Sequence, residues 1–200
     1  MKLFKLALVV GLLLLAATAY ADTLQTYNLA WSGASFGNGA TATGQITLDL
    51  TTLPNPGGPA YDMYNDIMSL TVTVTGASVG NGTWTRADLC ACSSLGTYTY
   101  WDTGGGALNL TQQLVGQPTL DGGPWGTPDG SSGDFNFFFT NGGPLGTNYF
   151  TMTTDGGNGD SMLLTSVAPV SGTTPEPGSL FLMGSGLVLL AGTIRRRFLL

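Results

Sequence analysis

Thr41-Ala42-Thr43-Gly44-Gln45-Ile46-Thr47-Leu48-Asp49-Leu50 changes chemistry at almost every step. In an extended chain Ala42, Ile46, Leu48 and Leu50 fall on one side, and Thr41, Thr43, Gln45, Thr47 and Asp49 on the other. Successive side chains of a strand point to opposite faces, so a period of two predicts a half-buried strand. Threonine, β-branched and polar, suits the wet side of such a strand. The pattern recurs in both directions from there. Tyr27, Leu29 and Trp31 share a face within 24–31, and Met68, Leu70, Val72 and Val74 alternate with Ser69, Thr71, Thr73 and Thr75. Phe135, Phe137 and Phe139 alternate with Asn136 and Thr140. Weaker strand candidates cover 82–89, 96–101, 107–115, 148–153 and 161–167.

Between these runs lie segments rich in Gly, Pro, Asn and Asp, at 53–59, 102–106, 121–133, 141–146 and 155–159. Those residues supply the backbone angles and local hydrogen bonds that turns need. No helical period emerges beyond a turn around 60–66. Many short strands separated by turns predict an all-β domain over 22–167, an antiparallel β-sandwich of jelly-roll-like type. Residues 168–174, with Pro169, read as a linker.

Charge narrows the chemistry. Of six Lys and Arg, only Arg86 falls within 22–174, where eleven Asp residues also lie. That region therefore carries 1 − 11 = −10, and Asp is the only acid in it. Such a surface repels phosphate backbones, which argues against nucleic-acid binding. The chain has no His, and Lys2 and Lys5 are its only lysines. A His general base, a Ser-His or Cys-His dyad, a histidine zinc site and a Schiff-base lysine are all excluded from the domain. The expectation is a domain that is not an enzyme.

Both ends carry targeting chemistry. Lys2 and Lys5 precede an apolar run, Leu6 to Ala17, and Ala19-Tyr20-Ala21 fits an A-x-A cleavage site for signal peptidase. Residues 1–21 thus read as a signal peptide, with a mature start at Asp22. At the other end, Pro175-Glu176-Pro177 precedes an uncharged stretch, 178–194, and then Arg195-Arg196-Arg197. Seventeen residues span roughly 25 Å as a helix, at the thin end of a bilayer core. The basic cluster that follows acts as a stop-transfer signal and favours a cytoplasmic C-terminus. An ordinary, permanent single-span anchor is the alternative.

This tail, 175–200, resembles the PEP-CTERM sorting signal in its three ordered parts: Pro175-Glu176-Pro177, the apolar segment, and Arg195 to Arg197. Phe198-Leu199-Leu200 follow the arginines, where the family usually ends in or near the basic run. The resemblance implies processing by an exosortase, a membrane-embedded cysteine transpeptidase. It also implies a transient inner-membrane anchor and a final place in the cell envelope or outside the cell. Family members are typical of Gram-negative bacteria that make exopolysaccharide, which makes that polymer a candidate partner.

Candidate sites in the domain are few. Asp155, Asn158 and Asp160 gather oxygen ligands in a tight loop and suggest calcium, although the loop fails the EF-hand and RTX patterns and reads more readily as a hairpin turn. Asp121, Asp129 and Asp134 invite the same idea. No other cofactor is expected. Trp84, Tyr98, Tyr100, Trp101 and Trp125 supply rings for a carbohydrate site, with Trp125, in a Gly/Pro-rich loop, the one expected at the surface. Paired Asp residues would permit a weak glycosidase. The turn positions of most Asp residues predict small pKa shifts. Cys90 and Cys92 are separated by one residue and form a possible disulfide, a redox pair or two buried thiols. The functional expectation is a secreted, exosortase-processed surface or matrix protein with a structural or adhesive domain. A displayed carbohydrate-binding module or weak glycosidase is the alternative.

Overall fold

The computed structural model describes residues 23–59, 61–90, 99–128 and 132–170. The proposed signal peptide with Ala19 and Ala21, the whole C-terminal signal, Cys92, Tyr98 and Asp129 lie outside the described residues.

Nine strands form among the described residues: β1 (Leu24–Ser32), β2 (Thr41–Asp49), β3 (Ile67–Thr75), β4 (Gly82–Thr85), β5 (Thr99–Asp102), β6 (Asp134–Phe137), β7 (Leu145–Asn148), β8 (Thr151–Thr153) and β9 (Ser161–Pro169). Every pair is antiparallel, and helices are short turns, so the domain is mostly β as the alternation predicts. The arrangement differs from a sandwich of two comparable sheets. Seven strands form one sheet in the order β4-β3-β2-β1-β9-β8-β7, and β5 and β6 form a separate ribbon. The sheet is two meanders, β1 to β4 and β7 to β9, joined where the first strand pairs with the last. A jelly roll crosses its strands between sheets. Here all pairings but β1–β9 join neighbouring strands in the chain.

The sheet curls around its contents. Just past β6, Phe138 bridges Leu145 at the start of β7, and Phe139 bridges Leu89 beyond β4. Cys90 N donates to Phe138 O at 2.6 Å, and Thr140 N donates to Asp88 O at 2.8 Å. Residues 138–140 therefore engage the start of β7 on one side and residues 88–90, just beyond β4, on the other. Away from them, Asn38 Nδ2 donates to Ser161 O at 3.0 Å and Ser78 N to Asp160 Oδ2 at 2.6 Å, tying three turns together at one end.

The inner surface is aromatic. Trp101, Trp125, Phe135, Phe137 and Phe150 are fully buried, with ring centroids 5.0 to 6.2 Å apart along a chain that ends on Trp31. Tilted and edge-on pairs of this kind contribute about 0.5–1.5 kcal/mol each beyond their burial. Trp101 Nε1 donates to Pro54 O and Trp125 Nε1 to Asp102 O, both at 2.8 Å, so these indoles are buried without losing their hydrogen bonds.

Four local readings change. Met68 is 46% exposed, and Ile67 takes the buried position instead. Thr47 pairs with Ser69 but Leu48 pairs with Ile67, so Met68 is the extra residue of a bulge, and a bulge shifts the alternation by one. Residues 107–115 form no strand. The Gln117 side chain bonds Asn109 N and O, and Asn109 Oδ1 accepts from Thr111 N, so side chains take the backbone groups that a ladder would use. The candidate at 82–89 stops at Thr85, where Asp88 Oδ2 accepts from Thr85 N and Oγ1 and opens a 3-10 turn. At the other extreme, β9 continues through Pro169, and Val170 N donates to Thr26 O at 2.8 Å, so strand pairing extends past residue 167.

Replacing Phe137 with Ala removes the ring that links Phe135, Phe139 and Trp31. A loss of about 3–5 kcal/mol in urea unfolding is expected. A Cβ at Gly44 would collide with the Thr71 carbonyl oxygen of the neighbouring strand. Gly44→Ala should therefore cost about 1–3 kcal/mol by the same measurement, although alanine is not excluded by the backbone angle.

Candidate functional site

The outward side chains of β1 to β3 form a polar face whose one carboxylate, Asp49, stands at the end of β2. Register places Thr26, Thr47 and Ser69 in one row, Asn28, Gln45 and Thr71 in the next, and Thr43, Thr73 and Thr83 in a third. Parts of these rows are knitted together. Thr26 Oγ1 and Thr47 Oγ1 lie 2.9 Å apart, as do Thr73 Oγ1 and Thr83 Oγ1, and Gln45 Nε2 donates to Asn28 Oδ1 at 2.9 Å. A shallow, open depression runs across the three strands, floored by Gly44 and flanked by Asn28, Thr43, Gln45, Ser69 and Thr71. The wet side of each strand was legible in the alternation. The rows were not, because they depend on register.

A second feature lies on the ribbon. Asp102 and Asp134 are direct cross-strand partners. Asp134 Oδ1 accepts from Asn136 Nδ2 at 2.6 Å and from Phe150 N at 3.4 Å, and Asn136 Nδ2 also donates to Asn148 O at 2.8 Å. The β7–β8 hairpin thus lies over this carboxyl, and Phe150, at its end, adopts a left-handed φ of 55°. Burial, with Asp102 adding repulsion, pushes the Asp134 carboxyl up to about 6, against the pull of hydrogen bonds from Phe150 and Phe135 N–H and from Asn136. The expectation of small shifts for Asp in turns fails here. Asp134 opens a strand instead, where a hairpin covers the carboxylate and another faces it.

The remaining acids mostly brace the chain. Asp66 is 2% exposed and accepts from Thr52 Oγ1 at 2.6 Å and Tyr61 Oη at 2.8 Å. Asp62 Oδ1 accepts from Tyr64 N at 3.1 Å and Thr99 Oγ1 at 2.7 Å, and Asp49 Oδ1 accepts from Thr51 N at 2.8 Å. Asp102 Oδ1 accepts from Gly104 N at 2.9 Å. Arg86 lies over the Tyr64 ring, 4.7 Å from its centroid.

The proposed calcium ligands face different neighbours. Asp160 Oδ2 accepts from Ser78 N, a bond that lowers its pKa, while Asp155 sits in a left-handed turn beside Gly142. Asn158 Nδ2 donates to Asp155 O at 3.1 Å. Among the described residues no three His, Cys, Asp or Glu gather where a metal ion could sit. The aromatic platform is largely internal. Trp125, expected at the surface, is 0% exposed, because its loop folds inward and its indole reaches Asp102 O. Trp101 is buried too, Trp84 is half-buried against the core, and Tyr100 packs on Phe138 at 5.6 Å. Cys90 is disulfide-bonded. No helix among the described residues is long and apolar enough to cross a membrane.

Residues 173–197 match the family model described as the PEP-CTERM protein-sorting motif. The chain carries a PEP-CTERM sorting motif. The motif covers Pro175, Glu176, Pro177 and Arg195 to Arg197 and implies a secreted surface protein targeted to an exosortase. Neither a curated protein nor a solved structure matches the chain.

The raised Asp134 pKa has a consequence for stability. The native state binds its proton more tightly than the unfolded chain, whose Asp titrates near 3.8. Stability should therefore fall as pH rises from 3.8 to about 6, by on the order of 2 kcal/mol from this group. Asp134→Asn keeps an acceptor for Phe150 N and removes the charge that Asp102 repels. The variant should melt several degrees higher than wild type at pH 7 and show no advantage at pH 4, measured by circular dichroism.

Proposed function

We propose that this protein is a non-catalytic structural or adhesive module of the cell surface, delivered by its PEP-CTERM motif. The motif supports the route. On this reading, residues 1–21 direct export, and the uncharged stretch 178–194 with Arg195 to Arg197 anchors the chain in the inner membrane, C-terminus in the cytoplasm. An exosortase then cuts near Pro175-Glu176-Pro177, and the domain is released or joined to surface material, with exopolysaccharide as the matrix it enters.

The observation that supports the non-catalytic role is the use made of the acids. Lacking His and Lys, the domain would have to catalyse with Asp. Its Asp side chains instead accept hydrogen bonds that brace turns and hairpins, as at Asp49, Asp62, Asp66, Asp88 and Asp160. One observation favours the glycosidase alternative. Asp102 and Asp134 oppose each other and one has a raised pKa, the combination that acid and nucleophile show in retaining enzymes. The β7–β8 hairpin over Asp134 weighs against it.

Processing is tested by Glu176→Ala. In a host with a functioning exosortase the wild type should lose Arg195 to Arg197, read by intact mass, and the variant should persist as uncut precursor in the membrane fraction. A mature wild-type protein that still carries the three arginines defeats the reading. Turnover of a polysaccharide that disappears in Asp134→Asn would replace the structural role with the enzymatic one.

A further inference from the structure

The polar depression on the outer face has a distribution of free groups that the rest of the sheet lacks. Thr26 and Thr47 satisfy one another, and so do Thr73 and Thr83 and, further along, Thr41 and Thr75. The hydroxyls of Thr43, Ser69 and Thr71 have no protein partner among the described residues. Gln45 uses its amide N–H on Asn28 Oδ1, which leaves Gln45 Oε1 and Asn28 Nδ2 unspent. Donors and acceptors therefore cluster between mutually satisfied rows. Neighbouring strands lie about 4.8 Å apart and same-face residues about 6.7 Å apart, so the array is regular in both directions.

What this array excludes is as informative as what it offers. The region 22–174 carries −10, yet no charged residue borders the depression. Phosphate and carboxylate polymers are repelled by the domain as a whole and find no cation here. The borders are Asn, Gln, Ser and Thr with glycine, and none of these is a large apolar side chain of the kind that anchors a lipid or an amphipathic helix. The chemistry that complements neutral, closely spaced hydroxyl and amide groups on an extended strip is another neutral polyhydroxyl chain.

We infer that the depression over β1, β2 and β3 is a docking surface for an uncharged polysaccharide, gripped by hydrogen bonds from Thr43, Ser69, Thr71, Asn28 and Gln45. The inference rests on the surface-protein reading above and names the partner of that protein's outer face. Recognition here is by hydroxyl and amide groups, because Trp101 and Trp125 are spent in the core. Each single contact is worth little in water, so affinity depends on several units of the polymer binding along the strip.

The test is affinity electrophoresis of the full chain in mild detergent, in native gels containing dextran or hydroxyethylcellulose, with alginate as the acidic comparison. The neutral polymers should retard the wild type, and alginate should not. The double variant Thr43→Val, Thr71→Val removes two hydroxyls while keeping β-branched side chains, and should weaken retardation about tenfold. Thr43→Ser with Thr71→Ser should bind as wild type does, which separates lost hydroxyls from lost fold. Thr111→Val, away from this face, should change nothing. Absence of retardation by both neutral polymers overturns the inference, and so does undiminished retardation of the double Val variant or stronger retardation by alginate. A concentration-dependent dimer in sedimentation that the double Val variant abolishes also overturns it, since the face would then serve a second copy of the chain. If retardation fails while the processed protein still fractionates with surface material in cells, only this face assignment is lost.

Discussion

The pairing of β1 with β9 is the contact on which the remaining architecture depends. Tyr27 faces Pro169 and Ser32 faces Leu163, so residues more than a hundred positions apart form the seam between two meanders. Each meander alone is a curved sheet with one bare face and an open edge. Joined, they make a surface broad enough to curl round the aromatic cluster. Closing so long a loop costs entropy before any contact forms, although the cost grows only slowly with length. Aromatic burial offsets it, since Tyr27, Leu29 and Trp31 on β1 and Met162, Leu164 and Val167 on β9 are all buried in the common core. The seam also fixes the exits. Val170 bonds Thr26, so both ends of the described domain leave from the same side.

The sheet has two faces with opposite economies. Inside, tryptophan and phenylalanine fill the curl; the indole N–H groups of Trp101 and Trp125 are satisfied by carbonyls at Pro54 and Asp102, while that of Trp31 has no partner among the described residues. Outside, threonine rows hydrogen-bond across strands and keep the surface wet without charge. Charge is pushed to the turns and to the ribbon. There it acts through hydrogen bonds to backbone N–H, which stabilise an ionised carboxylate and fix a loop together. Asp160 shows the favourable case, with its pKa lowered by Ser78. Asp134 shows the unfavourable one, where a covering hairpin removes water and a facing Asp102 adds repulsion. A strained Phe150 beside it is tolerated because its ring sits 5.0 Å from Trp125 in the core.

Gly-rich composition explains why sequence reasoning misjudged Trp125. The neighbourhood 121–133 reads as solvent-exposed turn, and residues 121–124 are exposed, but 125 and 126 are buried. Gly126, at a positive φ of 94°, and Gly133, at 104°, let the chain double back on either side of the tryptophan. Gly133 in addition lies where any Cβ would meet the Asp102 carbonyl oxygen, so only glycine allows that approach. Trp125 is therefore core, tied to the ribbon through Asp102 O.

The sequence by itself determined the β class, most of the long strands with their dry sides, and the sorting motif at 173–197. These are local properties: period two needs no partner to be read, and a short linear motif is recognised in order along the chain. Tertiary structure decided everything that depends on who pairs with whom. Register moved Ile67 inward and Met68 outward. Side chains of Asn109 and Gln117 took the backbone groups of a segment that alternates on paper. Cross-strand pairing set Asp102 against Asp134 and gathered Thr43, Ser69 and Thr71 on one patch from two strands. Alternation states which side of a strand is dry. It carries no record of which strand lies next to it, because that choice is made by the summed burial of residues far apart in the chain.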